Sequence, residues 1–249
     1  MAELLIHCDR IIGNIIKINT LMHKHDAQWT LVLKVLSGHR KALSRILEHP
    51  VIDELHSVGD SRLSSLETIK SIRPEIVTMY VKPVPQNLVP SIVKHADISL
   101  ITSLRTLRLM NEAAGKIGVR HKAIVMIELG ELREGVVREN ITTFYRDAFT
   151  MDDIEIVMKQ FLVLHHAGQC PGLYLDSGFL ENCHRIEPTY DKMIQLSLYR
   201  QLLEEMFNHQ IPILSGGSSI TLPLLGSRKL PPTVNHFRIG EAVFLGSTP

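Results

Sequence analysis

The sequence predicts an α/β protein, a closed (β/α)8 barrel of the TIM type. Eight short apolar strand candidates alternate with helical stretches, the pattern of βαβ units on a parallel sheet. The strands are nearly continuous apolar runs, as expected where helices cover the sheet. The 249 residues match one barrel, which commonly reaches about 250. An open doubly wound sheet would carry G-x-G-x-x-G after its first strand. Here that place reads Lys34-Val-Leu-Ser-Gly-His39, which does not match.

The first element is a helix. Leu4, Cys8, Ile11, Ile15, Ile18 and Met22 recur at steps of three and four. The strand candidates follow as Thr30–Leu36, His56–Gly59, Glu75–Val81, Ile98–Ile101, Ala123–Leu129, Gly172–Leu175, Ile211–Leu214 and Phe237–Leu245. Between them, helical spacing marks the segment around Leu43, Ile46 and Leu47, then Arg62–Ile72, Leu88–His95, Ser103–Ile117, Met151–His166 and Pro188–His209, with a shorter helix after Ser219. The longest irregular stretch runs from Gly130 to Thr150, and a loop of that length in a compact domain is usually functional. The whole chain, residues 1–249, is therefore expected to form a single barrel with an N-terminal helix.

Composition narrows the function classes. Lys and Arg number 27 against 26 Asp and Glu, a formal net charge of +1. That balance argues against nucleic acid as a partner, which would call for a basic excess. A content of 45% hydrophobic and 21% charged residues is that of a globular domain. No apolar run approaches the roughly 18 residues that span a bilayer, so no membrane association is expected, and the N-terminus does not resemble a signal peptide. The three cysteines, Cys8, Cys170 and Cys183, form no disulfide framework. A reducing, cytoplasmic setting is the simplest expectation.

Reacting groups of such barrels sit at the C-terminal ends of the strands. Lys34 lies near the end of the first strand, inside an apolar run. A lysine neutralised by desolvation suits covalent chemistry with carbonyl compounds; a lysine at a strand end reaching solvent is the plain alternative. Ser215-Gly-Gly-Ser-Ser219 follows strand seven and opens a helix. Its glycines let the backbone approach an anion, and its hydroxyls and amides can donate to one. An ordinary turn with a serine cap fits the same residues. A second glycine turn, Arg238-Ile-Gly-Glu241, lies on strand eight, and barrels frequently hold a phosphate with the loops after strands seven and eight. Arg133, in the segment after strand five, is a third candidate beside the reading of a solvated charged loop. Asp176 and Ser177 follow strand six. His165, His166 and Cys170 lack a fourth ligand at zinc spacing, so no metal is expected.

Together these pieces resemble the pyridoxal-phosphate barrel of the alanine racemase type (fold type III), closest to its ornithine and related amino-acid racemase branch. The resemblance rests on Leu33–Gly38, Gly59-Asp-Ser-Arg62, His95–Leu100, His121–Gly135, Ser215–Ser219 and Asn235–Gly246, in order over nearly the whole chain. It implies roles position by position. Lys34 matches the lysine that holds pyridoxal 5'-phosphate covalently and later acts as acid and base on the substrate α-carbon. Arg133 matches the arginine near the cofactor's phenolic oxygen. Gly217, Ser218 and Ser219 match the phosphate-binding turn, and Gly240 and Glu241 match backbone donors to the same phosphate. Arg238 matches the arginine facing the pyridine nitrogen. The implied activity is racemisation of a small amino acid; the alternative is a non-catalytic, single-barrel protein of cofactor homeostasis. Dimerisation is implied by the resemblance alone.

The chain departs from the family pattern in three places. The tyrosine shortly after the lysine is replaced near Ser37-Gly38. The histidine after strand six has no counterpart. The β-rich domain that supplies a second base in two-domain racemases has no position to map onto within these residues, which leaves open a truncated chain, a lone barrel with another proton donor, and a protein that binds the cofactor without fast turnover.

Overall fold

The computed structural model describes residues 4–129, 135–149, 161–164, 186–208, 210–226, 230–231 and 233–246. Its strands are β1 (Gln28–Val32), β2 (Ser57–Asp60), β3 (Thr78–Pro83), β4 (Ile98–Ile101), β5 (Lys122–Glu128), β6 (Val136–Val137), β7 (Phe161–Leu164), β8 (Ile213–Gly217) and β9 (His236–Ile239). All the pairings among them are parallel. The order β4-β3-β2-β1-β9-β8-β7-β5 closes through a β4–β5 pairing, so eight strands form a ring. β6 adds a two-residue pairing to Ile127 and Glu128 at the end of β5.

The helices are α1 (Cys8–Lys24), α2 (Arg40–Leu47), α3 (Leu63–Ile72), α4 (Val89–His95), α5 (Leu104–Ile117), α6 (Ile141–Phe149), α7 (Ile186–Phe207), α8 (Leu222–Gly226) and α9 (Glu241–Leu245). Alternation along the strands separates two cores. Tyr80, Ile101, Ala123, Val125 and Ile127 join the large cluster between ring and helices. Met79, Ile98, Leu100, Ile124 and Met126 form a separate cluster inside the ring, with Val81 and Ile213 against it.

Helix α1 is tied on by polar bonds as well as by its apolar stripe. Asn19 Oδ1 accepts the buried Trp29 indole N–H at 3.1 Å, and its Nδ2 donates to Glu54 at 2.7 Å. Asn14 Nδ2 donates to the Val243 carbonyl on α9 at 2.9 Å. The N-terminal helix thereby braces β1 and the helix that follows β9.

Four expectations change. The first strand stops at Val32, and Lys34–Leu36 forms a 3-10 turn. The eighth stops at Ile239, and Gly240 turns the chain into α9. The irregular stretch after strand five contains α6. The sixth ring strand is Phe161–Leu164, residues expected at the end of a helix; a four-residue apolar run fits both periods, and periodicity alone does not decide it. The expected strand Gly172–Leu175 lies outside the described residues.

Candidate active site

The candidate residues meet where β8, β9 and β1 run side by side. β1 pairs with β9 with Thr30 beside Arg238 and Leu31 beside Ile239. β8 pairs with β9 through a register shift, Ser215 opposite His236 and Gly217 opposite Phe237. That irregularity brings the turn after β8 toward the turn after β9. Ser219 Oγ accepts the Ala242 N–H at 3.1 Å and joins the two turns directly.

Two glycines make this close approach feasible. A Cβ on Gly217 would stand 1.8 Å from the Phe237 ring, and one on Gly240 would stand 2.9 Å from the Val32 carbonyl oxygen. Ser218 presents a buried hydroxyl oxygen with no hydrogen-bond partner among the described residues, while its N–H donates to Thr221 Oγ1 at 2.8 Å. Glu241 opens α9, where the first amides of a helix have no intrahelical acceptor. The two turns thus gather hydroxyl and amide donors around a point where backbone, not side chain, sets the wall. Such a set suits a small anion.

Lys34 is the first residue past Leu33 at the end of β1 and opens the 3-10 turn. It is exposed rather than desolvated, because the strand ends two residues before it. Of the two readings of Lys34, the structure matches the lysine at a strand end that reaches solvent, at the C-terminal end of the ring. Arg238 is half-buried on β9. Arg133, Asp176, Ser177, His165, His166 and Cys170 lie outside the described residues.

Below Arg238 the ring holds a polar chain that sequence reasoning missed. His236 Nδ1 meets Ser215 Oγ at 2.8 Å and its Nε2 meets Thr30 Oγ1 at 3.1 Å. Thr30 Oγ1 meets Ser57 Oγ at 2.7 Å, and Ser57 Oγ meets His56 Nδ1 at 3.2 Å. The two histidine rings stand edge to face, centroids 4.7 Å apart. Burial, followed by nearby His56 and Arg238, holds the His236 imidazole neutral, well below its ordinary pKa. Burial, with Lys122 adding, lowers His56 to about 4. A neutral imidazole offers one donor and one acceptor, and hydroxyls on both sides serve either tautomer. The available signal was Thr30 and Ser215, hydroxyls at the start and end of otherwise apolar strand runs.

The other motif segments hold the frame. Asp97 Oδ2 accepts the Thr78 N–H at 2.7 Å and pairs with Lys70 at 2.7 Å. In Gly59-Asp-Ser-Arg62, Asp60 Oδ1 accepts the Arg62 N–H at 2.9 Å, and Arg62 Nη1 donates to the Lys34 carbonyl at 2.7 Å.

Residues 6–248 match the family model described as "Alanine racemase, N-terminal domain". The chain belongs to that family. It is 27% identical over 250 residues to an ornithine racemase of Acetoanaerobium sticklandii, covering 98% of this chain and 63% of the relative. It is 28% identical over 192 residues to a lysine racemase of Thermotoga maritima, covering 76% and 48%. The chain therefore spans less than two thirds of either relative's length. Among solved structures, an alanine racemase of Clostridium difficile superposes with a TM-score of 0.73 at 17% identity, covering 94% of this chain and 56% of that one. PipY of Synechococcus elongatus with PLP bound superposes with a TM-score of 0.68 at 15% identity, covering 94% and 99%. These likenesses show the barrel fold of the family. Among the described residues no helix is long and apolar enough to cross a membrane.

Proposed function

We propose that this barrel binds pyridoxal 5'-phosphate through Lys34 and interconverts the enantiomers of a small amino acid. The observation that carries the reading is the latched pair of turns after β8 and β9, standing beside β1, which ends at Val32 two residues before Lys34. The residues fit the cofactor. The unpartnered Ser218 hydroxyl and the backbone-walled approach at Gly217 and Gly240 suit its phosphate. Ser219 Oγ and the Gly240 and Glu241 amides complete the donor set.

When bound, the cofactor supplies an electron sink that acidifies the Cα–H of an attached amino acid. Lys34 Nζ would hold the cofactor's aldehyde carbon and, once displaced by the substrate amine, would move a proton to and from Cα on one face, with a second group needed on the opposite face. Arg238 carries only donors, so facing the pyridine nitrogen it would leave that atom unprotonated and the sink weak. A weak sink suits brief proton removal and return. Arg133 is assigned to the cofactor's phenolic oxygen. The two curated relatives are named for ornithine and lysine, which makes these the first substrates to try. A homodimer in a reducing cytoplasm completes the proposal.

A neighbour of the same fold, PipY, is described with PLP bound, which leaves room for a second reading, a cofactor-binding protein without turnover. Deuterium uptake at Cα of ornithine, lysine and alanine separates the two. Racemase activity requires exchange in heavy water with both enantiomers. No exchange by a protein that carries the cofactor on Lys34 selects the second reading. An absorbance scan without a cofactor band, unchanged by added pyridoxal phosphate, removes both.

A further inference from the structure

Resting on the assignment of Lys34 above, we infer that Arg62 is a positioning residue: a strap from the β2–α3 junction that fixes the lysine-bearing turn for the cofactor. The turn Lys34–Gly38 has left β1 and must be held by something else. Two backbone features make it tight. Ser37 takes a positive φ of 50°, and Gly38 one of 76°, a region costly for side-chain-bearing residues. Such a turn needs outside support to stay in one conformation.

The support comes from one neighbouring segment at three points. The Leu33 N–H donates to the Gly59 carbonyl at 2.8 Å, where β2 still pairs with β1. Arg62 Nη1 then reaches the Lys34 carbonyl at 2.7 Å. Finally, Gly38 lies over the first turn of α3, where a Cβ would stand 3.3 Å from Ser65 Oγ. The strap is itself anchored. Asp60, 1% exposed, accepts the Arg62 N–H, and burial raises its pKa against the pull of Arg62. A carboxyl group is costly to bury at this junction without a use for it, and its bond fixes the residue whose guanidinium reaches across. Arg62 is exposed, so the core does not depend on its side chain.

The consequence concerns the Lys34 backbone. A charge-assisted bond to its carbonyl limits rotation of the peptide that carries the side chain. Covalent anchoring of the cofactor then incurs less ordering cost.

The test uses the whole chain with Arg62→Ala and Arg62→Lys. Hydrogen exchange of the cofactor-free protein is read at the Leu36, Ser37 and His39 amides, which bond within the turn. Pyridoxal phosphate titration, followed by absorbance, gives the apparent Kd. Arg62→Ala is expected to speed exchange at those amides and raise the Kd, each by roughly five- to tenfold, the scale of one such bond. Strand β5 amides should not change. Arg62→Lys, which keeps a cationic donor, should restore part of both effects. Unchanged exchange in Arg62→Ala overturns the strap, and faster exchange with unchanged Kd and spectrum overturns its positioning role. A wild-type protein with no borohydride-stable adduct on Lys34 overturns the assignment of Lys34 itself and the positioning role with it. A normal wild-type adduct keeps that failure distinct from a failure of the strap.

Discussion

The inside of the ring has two unlike halves. On β3, β4 and β5 its residues are Met79, Ile98, Leu100, Ile124 and Met126, all fully buried. On β1, β2, β8 and β9 they are Thr30, Ser57, Ser215 and His236, equally buried but hydrogen-bonded to one another. Apolar packing is non-directional, so in the first half the backbone ladder and burial alone set the register. Hydrogen bonds of 2.7–3.1 Å have a defined geometry, so the second half fixes its strands relative to one another. Lys34, Gly217, Ser218, Ser219, Arg238, Gly240 and Glu241 all lie on or just beyond three strands of that half. Its polar layer stands beneath the strand ends proposed to hold one small ligand together.

The contrast breaks most visibly through stability. Ile124→Ala in the apolar half should cost about 2–5 kcal/mol by removing buried methyl groups and leaving a cavity. Urea unfolding measures that loss, and cofactor stoichiometry in the folded fraction should stay at the parent value. Acid acts on the histidines of both the ring and its surround. His56 and His121 are each lowered from 6.5 to about 4, chiefly by burial, and burial lowers His236 well below its ordinary value as well. Between pH 6.5 and 4 the unfolded chain binds protons there that the folded chain refuses. Stability therefore falls as pH drops through that window, on the order of 3 kcal/mol for each of His56 and His121. Thermal melts from pH 7.5 to 4.5 should trace this acid limb, with a plateau above 6.5.

His236→Phe sharpens the comparison. It removes the central member of the polar layer and leaves the Thr30 and Ser215 hydroxyls one partner short, at about 1–3 kcal/mol. Unlike Ile124→Ala, it should also weaken cofactor binding in the folded protein, measured by absorbance titration. Equal affinity in the two variants would remove the link between the polar layer and the site. The smallest expected effect on folding is that of Arg238→Glu. It should move melting little, yet protonate the ring nitrogen, shift the cofactor spectrum and raise transamination side products.

Much of this was legible in the chain. The strand–helix alternation gave the ring, and Ser215–Ser219 with Arg238–Glu241 marked the two turns because glycine among hydroxyls is informative at those strand ends. Phe161–Leu164 was not, since four apolar residues carry no period of their own. The exposure of Lys34 was one of two readings the chain left open, because Leu33, Val35 and Leu36 continue the apolar composition past the point where the backbone turns. The His56–Ser57–Thr30–His236–Ser215 chain depends on contacts across 206 positions of sequence in one bond, and only closure of the ring brings them together. Arg62 was visible within a motif, but its reach to the Lys34 carbonyl was not.

The central claim is tested most directly by borohydride reduction of the purified protein with pyridoxal phosphate, followed by peptide mass analysis, with Lys34→Ala alongside. The expected result is a stable cofactor adduct on the peptide that contains Lys34, absent from the variant while its fold persists. An adduct spread over surface lysines, or unchanged in Lys34→Ala, would contradict the account.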